Sequence, residues 1–307
     1  MSKQTSHTLL LTGTALIWGL AFVAQSMGAG MGAYTFLACR SWLAVLVLLP
    51  TMAGFDTVAR RQGRPAGRPR TAEARRTLYL GGLLCGTFLF AASAAQQIAL
   101  TINPSTAKAS FITAMYVVLV PVAGILLGRR CGGQVWLGVV LAVVGLYLLC
   151  MGGGPGAIER SDGILMLCAL LFAGQILCVD RFAPLADGVR LSMLQFLVTA
   201  VWSTVFALLL EQPSLAEIGA NALPILYCGI LSSGVGYTLQ IIGQRDLNPA
   251  IASIAMCLES VFGALGGWLI LHQQLSAREL CGCVLMFAAV VLAQLPLPAL
   301  RRQRSDA

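Results

Sequence analysis

Three ionisable side chains stand inside long apolar stretches of this sequence: Arg40, Lys108 and Glu259. A charge in the middle of an apolar, membrane-type helix costs about 2.5–3.5 kcal/mol on insertion scales, so each needs a partner, a wet cavity or a route to the surface. A guanidinium or an ammonium group can hold a carboxylate or another anion. A carboxylate can bind an amine, or it can take up and release a proton. These residues therefore indicate a polar site within an apolar chain.

Amide and aromatic side chains supply a second layer of candidates. Tyr237 and Gln240 are three residues apart, which puts them on one face of a helix. Amides can hydrogen-bond a small organic molecule and aromatic rings can stack on it, although each such residue can equally be a packing residue. The candidates in this layer are Gln96, Gln240, Tyr237, Trp18, Tyr116 and Trp202.

Other kinds of site find no support in the sequence. There is no phosphate-binding loop motif, and the glycines of Gly28 to Gly32 follow an apolar run instead of the strand that a dinucleotide site requires. His7 and His272 are too few for a zinc site or a serine–histidine relay. The ten cysteines include no CxxC pair and lie mainly in apolar runs, as packing residues do. We therefore predict no catalytic residue, no metal, no cofactor and no enzymatic activity.

The composition is that of an integral membrane protein. Mean hydropathy is +0.83, 58% of the residues are hydrophobic and only 10% are charged. Apolar runs of about 18 to 24 residues recur almost end to end, which leaves no water-soluble core to build. A signal peptide is the alternative for the first run, but only Lys3 precedes it and many such runs follow. The net charge of +8 lies in segments that flank these runs, so it predicts orientation in a membrane and not nucleic-acid binding.

Apolar windows and helix breakers predict ten membrane spans. Their ranges are 8–26, 34–53, 78–100, 105–127, 134–151, 163–180, 191–210, 221–243, 249–271 and 279–296. The loop from Arg60 to Arg76 carries seven arginines, so it is expected on the cytoplasmic side. Alternation then places 16 of the 20 lysines and arginines inside, and both termini in the cytoplasm. The last segment, 299–307, becomes a basic cytoplasmic tail.

This topology assigns a depth to each buried charge. Arg40 and Lys108 lie about 9 Å and about 5 Å below the outer face, and Glu259 lies about 15 Å from the inner end of its span. Lys108 either extends its side chain outward to water or anchors an anion. Arg40 either bonds a carbonyl at a helix end or contacts a bound solute. Glu259 is a proton or amine site, an ion-pair partner of Arg40 or Lys108, or a neutral packed acid.

The second half of the chain repeats the first with the opposite orientation. A shift of 144 residues lays Gly138 on Gly282 and Gln96 on Gln240. The arginines that follow a span in the first copy become uncharged or acidic residues in the second, as expected when the two copies enter the membrane from opposite sides. Residues 1–152 and 160–298 are therefore predicted to be two inverted five-helix repeats, an architecture of secondary transporters.

The sequence resembles the bacterial drug/metabolite transporter superfamily, EamA type. The residues that carry the resemblance are "ALIWGLAF" from Ala15, "FLACRSWLA" from Phe36, "ASFITAMYVVLVPVAGILLGRR" from Ala109 and "LESVFGALGGWLILHQQLS" from Leu258. The family often has Gly-Glu after its fourth and ninth helices, where this chain has Gly128-Arg129 and His272-Gln273. The resemblance implies ten helices in two inverted repeats, with spans 1 to 4 and 6 to 9 around a central cavity.

We therefore expect a secondary transporter of the bacterial inner membrane. It would export an amino acid or a related zwitterion by alternating access, with Lys108 or Arg40 on the carboxylate and Glu259 on the amine or on a coupling proton. Uptake and uncoupled facilitated diffusion are alternatives within transport. A polytopic lipid-modifying enzyme or a scramblase is the alternative from another class. The expected partners are a small molecule and the lipid bilayer, with no nucleic acid, and a homodimer is left open.

Overall fold

The computed structural model describes residues 3–63, 67, 69, 71–103, 106–128, 131–151, 159–245, 247–271 and 276–294, and all regular structure in these ranges is helical. The helices are α1 Lys3–Met27, α2 Ala33–Arg61, α3 Ala72–Ile102, α4 Thr106–Thr113, α5 Tyr116–Leu126, α6 Gly133–Cys150, α7 Arg160–Phe182, α8 Gly188–Leu210, α9 Leu215–Ala220, α10 Ala222–Leu226, α11 Tyr237–Gln244, α12 Pro249–Met256, α13 Leu258–Leu271 and α14 Ala277–Gln294. A π-helix, Tyr227–Gly236, joins α10 to α11, and Gly28–Gly30 form one 3₁₀ turn after α1.

Nine segments of the described chain are long and apolar enough to cross a membrane. They coincide with the first nine predicted spans, so the chain is an all-helical, multi-pass membrane protein. The tenth predicted span falls on α14, an 18-residue helix that ends at the boundary of the described residues. The count of ten spans stays a prediction.

Polar residues mark the helix starts that follow loops. The Thr71 hydroxyl accepts a hydrogen bond from the Ala74 amide at the start of α3, and the Asp187 carboxylate accepts one from the Arg190 amide at the start of α8. Asn248 caps α12, whose first residue is Pro249. These caps satisfy amide groups that a helix leaves unpaired at its start, so they place the loops at the ends of the spans.

The two halves of the chain pack through helix pairs that take one member from each half. α6 lies along α14, α2 along α8, α1 along α13 and α3 along α7. The second helix of one half, α2, is antiparallel to its equivalent, α8, because Thr35 bonds Glu211 at one end and Asp56 bonds Arg190 at the other. The second half is therefore inverted relative to the first.

Candidate functional site

A polar cavity lies between the two halves, and we call it the central cavity. About 490 Å³ of space lies between the surrounding side chains, and part of this space is open to solvent. Its lining comes from both halves: Trp18, Ala21, Phe22, Gln25, Arg40, Gln96, Thr113 and Tyr116 from the first, and Phe172, Gln175, Ile176, Ser232, Tyr237, Gln240 and Glu259 from the second. The wall combines aromatic rings with a few amide and charged groups, as the wall of a small-molecule site does.

Arg40 enters the central cavity from α2. The residue is only 5% exposed, and its Nη1 donates a hydrogen bond to Gln25 Oε1 over 3.2 Å. Its buried Nε atom has no hydrogen-bond partner in the described part of the chain. No described carboxylate comes within ion-pair distance of the guanidinium. The positive charge is therefore oriented by a neutral amide and keeps donor capacity for an anion.

Glu259 enters the cavity from α13 and is also 5% exposed. Its Oε1 accepts a hydrogen bond from the Tyr116 hydroxyl over 3.2 Å. Among the described residues no cation lies within ion-pair distance of this carboxyl group. Arg40 and Glu259 thus line one cavity without forming a direct ion pair, whereas an ion pair of Glu259 with Lys108 lies outside the described residues.

Two short interruptions of the α-helical pattern, which we call breaks, flank the cavity at equivalent places in the two halves, and the backbone stays right-handed helical at Met115 and Cys257. One separates α4 from α5 at Ala114 and Met115, and the other separates α12 from α13 at Cys257. The breaks touch, because the Cys257 thiol donates to the Ala114 carbonyl over 3.6 Å. A second contact joins the hydroxyl oxygens of Ser110 and Ser260 at 2.5 Å. Each break lies beside residues of the cavity wall, Thr113 and Tyr116 at the first and Glu259 at the second.

Amides and aromatic rings complete the wall. Gln175 and Gln240 exchange hydrogen bonds of 3.4 and 3.1 Å, and Gln96 donates to the Thr113 hydroxyl over 3.4 Å. The Trp18 ring lies 4.5 Å from the Tyr237 ring, centroid to centroid, and its indole nitrogen donates to the Ser232 carbonyl. The wall therefore offers apolar faces beside polar atoms.

The lining follows the internal repeat. Trp18, Ala21 and Phe22 on α1 have the same spacing as Phe172, Gln175 and Ile176 on α7. Gln96 and Gln240, which the 144-residue shift superposes, both reach the cavity as well. The pseudo-twofold axis that relates the halves therefore passes close to the cavity.

Seven of the nine residues singled out in the sequence lie together in the cavity wall: Arg40, Glu259, Gln96, Gln240, Tyr237, Trp18 and Tyr116. The Lys108 side chain is outside the described residues, as are Arg129, His272 and Gln273. Trp202 does not line the cavity. It is 40% exposed and packs with Phe90 and Phe206 on the outside of the bundle. Its indole ring is placed there because α8 faces α2 and α3.

Four polar lining residues have no counterpart among those nine candidates: Gln25, Thr113, Gln175 and Ser232. Gln25 is an amide in an otherwise apolar span, and that signal could have identified it. Thr113 and Ser232 carry hydroxyl groups that often bond within their own helix, so composition alone gives no sign of their position.

Comparison with known proteins connects this architecture to transport. Residues 5–151 and 161–295 each match the model of the EamA-like transporter family. An uncharacterised transporter of Archaeoglobus fulgidus is 26% identical over 296 residues, covering 95% of this chain and 87% of the relative. An uncharacterised protein of Pseudomonas aeruginosa is 28% identical over 280 residues, covering 89% of each chain. A crystal structure with 18% identity has the same fold, with a TM-score of 0.75 over 94% of this chain and 96% of the other.

Proposed function

This chain belongs to the EamA-like transporter family, and from that premise we propose that it carries a small zwitterion, an amino acid or a related metabolite, across the membrane in the export direction. Membership of the family makes it a multi-pass membrane transporter of a small molecule, which is consistent with the bacterial inner membrane. The nature of the solute, the direction and the coupling are the proposal. Uptake and uncoupled diffusion are the competing outcomes of the tests below.

The observation that carries the proposal is the pair of separated charges in the central cavity. Arg40 and Glu259 line one cavity, and no described residue of opposite charge is within ion-pair distance of either. A buried charge without a partner is costly, and a solute with both a carboxylate and an amine would offer a partner to each of these two residues. A zwitterion fits this arrangement better than a simple anion or a simple cation does.

Each lining residue then has a chemical role. The Arg40 guanidinium binds the solute carboxylate, while Gln25 orients it. Glu259 accepts the solute amine, and the Tyr116 hydroxyl orients the carboxylate. Gln96, Gln240 and Tyr237 bond the polar remainder, and Trp18 provides an apolar face. Lys108 is the alternative carboxylate anchor predicted from the sequence.

Glu259 is also the proposed coupling site. A carboxylate is costly to keep charged in a narrow cavity of low polarity, so the site favours binding of either an amine or a proton. The two would then compete for one group. Entry of a proton from one side would release the amine toward the other, which is exchange of a proton for a solute.

The movement that we propose is alternating access, in which helices that line the cavity rock about it. The breaks at Ala114–Met115 and at Cys257 allow each broken helix to bend where its two parts meet. Thr113 and Tyr116 flank one break and Glu259 follows the other. A bend at either break would therefore shift solute ligands together with the access path.

Glu259→Gln tests the coupling role in proteoliposomes. Screening of purified protein by thermal shift against a metabolite panel first identifies solutes, and their flux is then measured with and without an imposed pH gradient. The wild-type chain should respond to the gradient, and Glu259→Gln should lose that response. Glu73→Gln, at the exposed start of α3, is the matched control. Gradient-driven flux that persists in Glu259→Gln would refute this role, and wild-type flux that ignores the gradient would indicate uncoupled transport.

A further inference from the structure

Three polar contacts join α2 to α8 in one continuous register. The pairs are Thr35 with Glu211, Trp42 with Thr204, and Asp56 with Arg190. From the first pair to the second, both helices advance by 7 residues in opposite directions, and from the second to the third both advance by 14. A seven-residue step keeps side chains on the same seam between two packed helices. α2 and α8 therefore lie side by side over their whole shared length.

The outer contact is a carboxylate that caps a helix. Glu211, directly after α8, accepts hydrogen bonds from the Tyr34 amide at 2.9 Å, the Thr35 amide at 2.8 Å and the Thr35 hydroxyl at 2.6 Å. It thereby accepts hydrogen bonds from two amides at the start of α2 that have no partner within the helix. Its negative charge also lies at the positive end of the helix dipole. A Cβ atom at residue 32 would collide with this carboxylate, so Gly32 makes room for the cap.

The inner contact is a buried ion pair. Arg190 Nη2 lies 2.5 Å from Asp56 Oδ2, and both side chains are 10% exposed. The pair joins the start of α8 to the last part of α2. Residues 35 and 56 are about 30 Å apart along α2, which matches the thickness of the hydrocarbon core of a bilayer. The two helices are therefore tied at both faces of the membrane.

The two ties are equivalent under the internal repeat. Moving along the chain by 155 residues takes position 35 to position 190 and position 56 to position 211. The contact between positions 35 and 211 is therefore the repeat equivalent of the contact between positions 190 and 56. This shift exceeds the 144 residues that relate later spans, because the chain from Asp56 to the start of α3 is longer than the chain from Glu211 to the start of α9.

We propose that α2 and α8 form a strut that stays closed at both membrane faces throughout the transport cycle. The inference rests on the proposed function, since it concerns how the proposed alternating access occurs. In an inverted-repeat transporter the opposite-facing state corresponds to an exchange of conformations between the repeats. After that exchange, positions 35 and 211 have the separation that positions 190 and 56 have in this structure, and positions 190 and 56 have the separation of positions 35 and 211. Because both ties are formed at once in this structure, both are formed again after the exchange.

The position of the strut agrees with this role. Among the described residues α8 contributes none to the cavity wall, and α2 contributes Arg40 alone. The interface between them can stay closed without obstructing a solute. Arg40 lies five residues after Thr35 on the strut, so it is a fixed anchor. Glu259 lies on α13, which follows the break at Cys257. The carboxyl group is therefore on the moving part of the site.

Reversible cross-linking tests the strut. In a background without the ten native cysteines, the pairs Thr35→Cys/Glu211→Cys, Trp42→Cys/Thr204→Cys and Asp56→Cys/Arg190→Cys are joined with a short, cleavable bismaleimide. The matched control is Ser110→Cys/Ser260→Cys, which joins α4 to α13 at the helix breaks. The three strut variants should change their transport rate by less than about twofold, and the control should lose at least about tenfold. Arrest of any strut variant by the cross-link, with recovery on cleavage, would overturn the proposal.

Spin labels give a second measurement that needs no known solute. Nitroxides at positions 42 and 204 should give one narrow distance distribution under conditions that split or broaden the distribution between positions 110 and 260. A distribution that splits at both pairs would overturn the strut. The proposed function fails separately, if the wild-type chain neither binds nor moves any zwitterion.

Discussion

Arg40 and Glu259 differ in the groups that hold them inside the same cavity. Arg40 is held by the amide of Gln25, whose own backbone carbonyl accepts a hydrogen bond from Gln97. Glu259 is held by the hydroxyl of Tyr116. Both supporting groups are neutral, so they fix the direction of each charge without cancelling it. Gln25 and Tyr116 are therefore positioning residues for the proposed solute.

Gln25→Glu is the sharpest substitution at this scale. It replaces a neutral acceptor with a carboxylate of the same size 3.2 Å from Arg40, so the guanidinium would gain a permanent counter-ion. The affinity for a zwitterion should fall by at least about tenfold, which is about 1.4 kcal/mol. Binding measured by titration calorimetry checks this, with Ser26→Glu as a control that adds the same charge one residue further along α1. Unchanged affinity in Gln25→Glu would mean that Arg40 does not hold the solute.

At the scale of helices, the contact between α1 and α13 sets the distance between cavity walls. A Cβ atom at residue 19 would lie 2.5 Å from the Glu259 carbonyl oxygen and 2.7 Å from the Gly263 amide nitrogen. These are backbone atoms, which cannot move aside as the tip of a side chain can. At residue 263 the nearest atom would be the Gly19 carbonyl oxygen, at 3.3 Å. Gly19 and Gly263 thus differ in how well each position would tolerate an added methyl group.

Gly19→Ala should therefore be damaging and Gly263→Ala mild. Overpacking of a tight interface costs about 1–3 kcal/mol, and here it would also push Glu259 away from the cavity. Thermal melting in detergent together with solute binding checks the prediction. Equal effects of the two substitutions would contradict the backbone contact described here.

The Asp56–Arg190 ion pair between α2 and α8 gives a second prediction about helix packing. Asp56→Asn would leave the Arg190 guanidinium buried without its counter-ion, at a cost of about 3–5 kcal/mol. The double variant Asp56→Leu/Arg190→Met removes both charges and should recover most of the lost stability. Unfolding in mild detergent with increasing denaturant measures both. A double variant as unstable as Asp56→Asn alone would show that the ion pair is not the cause.

Sequence reasoning identified the helices better than it identified their interruptions. Long apolar runs and the arginines of the loop after residue 60 predict the spans, because lipid excludes charge and the cytoplasmic side retains it. The breaks at Ala114–Met115 and Cys257 and the π-helix from Tyr227 lie within apolar runs that continue unchanged through them. The two breaks coincide with a tertiary contact, the bond between the Cys257 thiol and the Ala114 carbonyl. Hydropathy does not record such contacts.

At the scale of the whole molecule, side-chain polarity explains which residues of the cavity wall could be predicted and why Trp202 was not separated from them. Charges and amides that no lipid-facing helix tolerates must face inward, and this placed Arg40, Glu259, Gln96 and Gln240 together. Aromatic rings are acceptable both to lipid and to a cavity, so the sequence did not separate Trp18 from Trp202. The fold supplies the missing information, because α1 contributes to the cavity wall and α8 contributes to the strut.

Binding of one solute by the central cavity through two separated charges is the basis of the proposed mechanism. Equilibrium binding of a zwitterion from the panel to purified wild-type protein, Arg40→Met and Glu259→Gln measures it directly, with thermal melting as the check on folding. We predict saturable binding by the wild-type chain. The affinity should fall by at least about tenfold in each variant, because each lacks one of the two charges. Folded variants that bind the zwitterion as tightly as the wild-type chain would contradict it.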